Sequence, residues 1–138
     1  MEGFSKKLVA VLNEKIDIGK VMNALAHMSI GLGANVQKEE LRLTDYKDAD
    51  GGNHDKISEM PFMILKANSN KIRSLRKACI ENNIQFVDYT NTMTEGTFED
   101  QIKRSAQTKE EQLEYYGIVL FGDWNMVSEL TRKFSLWK

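Results

Sequence analysis

KLVAVLNEKIDIGKVMNALAHMSIGLG, residues Lys7 to Gly33, is the stretch on which the fold turns. Leu8 to Leu12 form an uninterrupted apolar run between Lys6-Lys7 and Asn13-Glu14, as expected of a short strand buried on both faces. Asp17 then stands where an N-cap belongs. Ile18 to Leu32 follows, apolar nearly all round, and Gly33 offers a C′ stop, so a buried helix is expected.

Outward from this pair, Leu41, Leu43 and Tyr46 alternate with Arg42, Thr44 and Asp45 as in a half-exposed strand, and Lys47 to Glu59 reads as a polar loop. Pro61 to Ala67 is a second central strand, with its proline confined to the first position. Ser69 or Asn70 caps a helix that turns Ile72, Leu75, Cys79 and Ile80 inward and ends at Asn82-Asn83. Gln85 to Asp88 is a short strand, Thr90 to Gly96 a loop, and Phe98 to Ser105 a helix. Thr108 and Glu111 suggest a capping box opening a helix over Lys109 to Tyr115. Ile118 to Phe121 is a strand ended by Gly122, Asp123 caps a last helix over Trp124 to Thr131, and Phe134 to Trp137 adds an edge strand. Apolar strands alternating with helices predict one α/β domain over residues 1–138, its sheet covered on both faces and mostly parallel. Ligands in such sheets bind beyond the carboxyl ends of the strands, which places Asn13 to Lys20, Asp88 to Met93 and Gly122 to Trp124 at the expected site.

Composition narrows the function. With 138 residues, 41% hydrophobic and 28% charged, the chain is sized for one ordinary globular core. Its formal net charge of -1 supplies no global field for nucleic acid or anionic membrane, so any RNA contact must be local. Cys79, the one cysteine, rules out an intramolecular disulfide and suits a reducing compartment. The apolar run near the N-terminus is too short for a signal sequence or a membrane span, and a cytoplasmic location is expected.

Lys20, Asn23 and His27 fall at i, i+3 and i+7, on one helical stripe. A cation and the free N–H groups of Gly19 and Lys20 near a helix start suit a phosphate or a developing oxyanion, with His27 as base, acid or orienter. On spacing alone, the same stripe is equally what the wet face of an amphipathic helix looks like. Asp45, Asp48, Asp50, His54 and Asp55 cluster in one loop but miss the EF-hand register at Tyr46 and Ile57. With two histidines and an apolar setting for Cys79, neither a metal site nor a cofactor is expected.

The run Leu8 to Gly33, the segment Asp48-Ala-Asp-Gly-Gly with Ile57 to Leu65 after it, and the ending Tyr116-Gly-Ile-Val-Leu-Phe-Gly resemble an uncharacterised family of small microbial proteins, a numbered domain of unknown function (number two thousand). That family is similar in turn to type 2 peptidyl-tRNA hydrolases. The resemblance implies a three-layer α/β/α fold with a four-stranded mixed sheet. Those enzymes open with a strand, Gly-Lys, then a Gln and a His on the following helix. Gly19, Lys20 and His27 match, while Ala24 takes the glutamine position. Their later Asp-Ala-Gly-basic-Thr motif corresponds to Asp88-Tyr-Thr-Asn-Thr92, where the outer Asp and Thr match.

Two functions follow as expectations. One is a hydrolase of an ester or acyl bond by directed water attack, with Lys20, His27, Asp88 and Thr92 as catalytic residues and Gly19 and Asn23 binding the ligand. The other is a non-catalytic module binding a small anionic ligand or a protein partner in the same cleft. A homodimer through an edge strand stays open in both.

Overall fold

The computed structural model describes residues 3–138. β1 (Lys6–Asn13) enters the centre of the sheet, and a turn from Glu14 to Asp17 leads into α1 (Ile18–Asn35). β2 (Leu43–Lys47) and β3 (Asn53–Ser58) form a hairpin of their own. The main sheet resumes with β4 (Phe62–Ala67), α2 (Ser69–Glu81) and β5 (Gln85–Thr90). After a 3-10 turn at Asn91–Met93 come α3 (Phe98–Ala106), β6 (Tyr115–Asp123), α4 (Trp124–Thr131) and the two-residue strand β7 (Ser135–Leu136).

The strand order is β5-β6-β1-β4-β7. Only β1 and β4 run parallel; β1–β6, β5–β6 and β4–β7 are antiparallel. This corrects the expected mostly parallel sheet. A strand buried on both faces reads as a continuous apolar run whichever way its neighbour points, so hydrophobicity carried no information on direction. The sheet also has five strands rather than four. The fifth is β7, within the edge strand expected at Phe134 to Trp137, and it pairs only with Leu65 and Lys66.

Alternation along β1 and β6 divides the core in two. Leu8, Ala10 and Leu12, with Val119 and Phe121, face Val21, Ala24, Met28 and Leu32 of α1. Val9, Val11, Ile118 and Leu120 face Ile72, Leu75 and Cys79 of α2 and Val127 of α4. Two helical layers therefore enclose one sheet. Each fully buried aliphatic side chain contributes about 1.5–3 kcal/mol relative to exposure, and β1 places six consecutive residues, Leu8 to Asn13, out of solvent.

Several local expectations change. α1 buries one stripe rather than its whole circumference, leaving Ile18, Met22 and Ile30 exposed. It also runs past Gly33 to Asn35. The expected loop after Tyr46 is a hairpin turn. Asp48 Oδ1 accepts from the N–H groups of Asp50 and Gly52, both at 2.9 Å, and Gly51 adopts φ +81°, a conformation that suits glycine. The acidic cluster there is turn chemistry, with His54 Nε2 2.8 Å from Asp48 Oδ2. The helix start on α2 is capped one residue earlier than expected, by Asn68, and the expected helix at Lys109 to Tyr115 is a 3-10 turn at Glu110–Gln112 followed by strand. Asp123 caps α4 as expected, accepting from Met126 N at 3.0 Å.

Gly117 lets α1 lie against the sheet. A Cβ there would sit 2.9 Å from both Leu12 Cδ2 and Met28 Cε and 3.2 Å from Val11 O. Gly117→Val therefore overpacks the α1 interface, and urea unfolding should show a loss of about 1–3 kcal/mol. An unchanged midpoint would refute this tight fit.

Candidate functional site

β5 is antiparallel to β6, and β6 to β1, so β1 and β5 end at the same edge of the sheet. Asn13 and Thr90 are neighbours of the same β6 segment: Asn13 Nδ2 donates to Tyr115 O at 2.8 Å, and Thr90 pairs with Tyr115. Two of the three segments expected at the site, Asn13 to Lys20 and Asp88 to Met93, therefore share this edge. Gly122 to Trp124 lie at the opposite end, where Asp123 pairs with Lys6. That misplacement follows directly from the reversed direction of β6.

Between α1 and the outer edge of β5 runs a groove of about 400 Å³, lined by Asn23, His27, Val87, Asp88, Tyr89, Thr94 and Gln101, among others. His27 is exposed on the flank of α1, and its ring centroid lies 6.2 Å from that of Tyr89, which lies 6.1 Å from Tyr116. Tyr89 thus forms the groove floor together with Met28, Val87 and Met93. Tyr89 is held from below, donating from its hydroxyl to Met93 O at 2.8 Å. Burial raises the Tyr89 pKa, and the neighbouring Tyr116 adds to the effect, so the phenol stays a neutral donor.

The sequence-expected residues separate here. Asn23 and His27 both line the groove. Ala24 is fully buried against the sheet, so the side chain that accompanies His27 at the surface is Asn23. Lys20 and Gly19 are exposed nearer the start of α1, and neither lines the groove. Lys20 lies on the same helical stripe as His27, about 10 Å along the axis. Its Nζ makes no hydrogen bond or ion pair among the described residues.

Asp88 behaves differently from its motif. Val87 and Tyr89 point toward α1, so period-two alternation sends the Asp88 carboxylate through to the α2 face. There its Oδ2 lies 2.8 Å from Arg76 Nε, away from the line of the N–H bond, so the pair is chiefly Coulombic. Desolvation raises the Asp88 pKa, with Arg76 opposing the rise. Thr92 is also withdrawn. It is 2% exposed and joins a hydroxyl chain, 2.8 Å from Thr90 Oγ1 and 2.7 Å from Ser105 Oγ, while Arg104 Nη1 donates to its carbonyl at 3.1 Å. Its role is to fasten α3 to the end of β5.

Beside Asp88 on the α2 face lies a second polar cluster. The buried Tyr115 donates to Glu110 Oε2 at 2.7 Å, and Arg73 Nε donates to the same oxygen at 3.0 Å. The Tyr115 hydrogen bond, with Arg73 beside it, lowers the Glu110 pKa. Burial, reinforced by Glu110, pushes the Tyr115 phenol up to about 12. These contacts tie the 3-10 turn to α2. They engage Arg73, as Asp88 engages Arg76. Thr94 and Gln101 were groove residues that sequence reasoning passed over, and Tyr89 lay within the expected Asp88 to Met93 segment without a role of its own. A tyrosine in an apolar alternation reads as core, and Gln101 sits on a helix with no motif of its own.

The family model described as "Protein of unknown function (DUF2000)" matches residues 6–138. The chain therefore belongs to the DUF2000 family. Among solved structures it is similar to the protein of unknown function Atu0240 from Agrobacterium tumefaciens strain C58, with a TM-score of 0.85 at 19% identity, over 98% of this chain and 99% of that one. That likeness shows a shared fold. No curated protein matches the chain. No helix among the described residues is long and apolar enough to cross a membrane.

The sign of the Asp88 shift is testable. Its folded pKa lies above the ordinary carboxylate value, so its contribution to stability is present at acid pH and is lost as pH rises through that folded pKa. Carboxyl carbon NMR should place the Asp88 titration above the ordinary range and the Asp48 titration below it, since Asp48 is held down by His54 and turn N–H groups. Arg76→Met should move the Asp88 titration further up. A titration left in place would mean that the ion pair does not form in solution.

Proposed function

We propose that this protein is a binding module for a small anionic ligand held in the groove between α1 and β5. The observation carrying this reading is the polar lining of the groove. His27, Asn23 and the second N–H of Gln101 offer donors beside Tyr89, Thr94 adds a hydroxyl oxygen whose proton goes to Asn91 O, and Asp88, which also lines the groove, has its carboxylate paired with Arg76. Lys20, outside the groove lining but on the same helical stripe about 10 Å from His27, adds a cation on that flank of α1. A groove of this size is within the range of small-molecule sites, and polar donors beside an Asp88 carboxylate already paired with Arg76 favour an anion.

A hydrolase similar to type 2 peptidyl-tRNA hydrolases, acting on an ester or acyl bond, is the second reading. Lys20 and His27 on one flank of α1 above the groove favour it. Directed water attack needs a base held in register by a partner. His27 has no hydrogen-bonded side chain among the described residues, the Asp88 carboxylate is engaged with Arg76 on the far face, and Thr92 is buried. The binding reading requires none of these and is the better supported. It also removes any need for a local RNA-binding surface.

Amide NMR with inorganic phosphate and acetate at millimolar concentration separates the two. The expected result is a set of saturable shifts confined to residues 20–31, 87–94 and 101, weakened by His27→Ala and by Lys20→Ala. Shifts absent or scattered over the surface would end the groove assignment. Turnover of peptidyl-tRNA above background, lost in His27→Ala, would replace binding with hydrolysis.

A further inference from the structure

A concavity larger than the α1–β5 groove lies on the opposite face from His27. α2 and α4 diverge over the sheet and leave a groove of about 680 Å³ between them. Its floor is apolar: Leu75, Ala78, Leu130 and Phe134 line it, and the last two are packed against the inner core while remaining half-exposed. Its rim is cationic. Lys71 projects from the first turn of α2, and Arg132 and Lys133 follow the end of α4. The single acid at the rim, Glu129, is already engaged by Arg132, whose Nε lies 3.0 Å from its Oε1. Lys71 and Lys133 have no acidic partner among the described residues, so the rim carries a net positive charge above an apolar floor.

We propose that this groove binds a single-chain amphiphile with an anionic head group. The alkyl chain lies along Leu75, Ala78, Leu130 and Phe134, and the head group rests among the rim cations. The chemistry decides this occupant. A free inorganic anion would leave the apolar floor wet, and a neutral hydrocarbon would leave the lysines without a counter-charge. The volume is that of a small-molecule site, and Lys71 to Ala78 spans about 10 Å of α2, room for an extended alkyl chain beside one helix. This site is separate from the α1–β5 groove, because the sheet stands between them.

The test uses a dansyl-labelled undecanoate below its micellar concentration, with fluorescence read on the full chain. Saturable enhancement is expected, reversed by decanoate but not by methyl decanoate. Lys71→Glu with Lys133→Glu, both at the surface, should weaken binding about tenfold or more. Ser74→Trp, an exposed position lining the groove, should block the chain without lowering the melting midpoint, and Ala78→Phe gives an independent block. The proposal fails if the probe does not bind, if the methyl ester competes equally, or if charge reversal leaves affinity unchanged. It fails equally if the protein is captured only by vesicles of anionic phospholipid and ignores the monomeric probe, since the surface would then be reading a membrane.

Discussion

The antiparallel pairing of β1 with β6 is the constraint on which the rest of this molecule depends. Leu8 to Leu12 and Ile118 to Phe121 lose solvent on both faces, so their side chains must go into one of two cores. Layers of helix on both faces are then obligatory, because neither face of this strand pair presents a polar row to water. The glycine at 117 follows from the same demand. It is the position where Leu12, Met28 and the backbone of β1 converge, and a Cβ there would displace the ends of both side chains and crowd Val11 O. α1 thus sits at a height set by the strand pair, and the groove beside β5 inherits its depth from that height.

Alternation along β5 then sorts the chemistry. Tyr89 belongs to the face of His27, and Asp88 belongs to the face of Arg76. One residue of offset separates a neutral groove of donors from a network of two arginines, two carboxylates and a buried phenol. The two faces work by different physics. On the α1 side, the exposed side chains of Asn23 and His27 flank Tyr89 and make no side-chain hydrogen bond among the described residues. On the α2 side, Arg73, Glu110 and Tyr115 satisfy one another, and Arg73 and Arg76 also lie over the rings of Tyr115 and Phe86 at 5.1 and 5.6 Å. A network so engaged holds structure together and has little left to offer a substrate.

How much of this the sequence disclosed depends on what kind of signal each feature leaves. Strands β1, β4 and β6 and helices α1 and α2 were legible because burial writes itself as runs and periods: Leu8 to Leu12, Ile118 to Phe121, and Ile72-Leu75-Cys79. The direction of β6 left no such trace, and with it went the position of Gly122 to Trp124. The hairpin was missed because the polar strand β3, with its histidine, aspartate and lysine, has no buried face to impose alternation. Its signal lay instead in Asp50-Gly51-Gly52, a turn chemistry that was legible in principle. At the site, helical spacing put Asn23 and His27 on one flank, where both line the groove, while the Asp88 carboxylate turns to Arg76 and Thr92 is buried. Matching end residues say nothing about which face each one takes.

The hairpin itself bears on how the molecule holds together. A two-stranded ribbon is marginally stable alone in water, and both strands of this one are exposed along most of their length. What secures it is its base. Arg42 adopts φ +54° there, and its guanidinium lies over the ring of Phe4 at 4.8 Å while donating to Glu59 Oε1 at 2.9 Å. Glu59 in turn accepts from Thr44, and Ser58 Oγ accepts from Met60 N at 3.0 Å just before the chain re-enters the core at Met60. The hairpin is therefore clamped where it leaves the domain and held at its tip by Asp48, with little in between. Its order comes from two polar anchors and its backbone ladder, in contrast to the main sheet, whose order comes from burial.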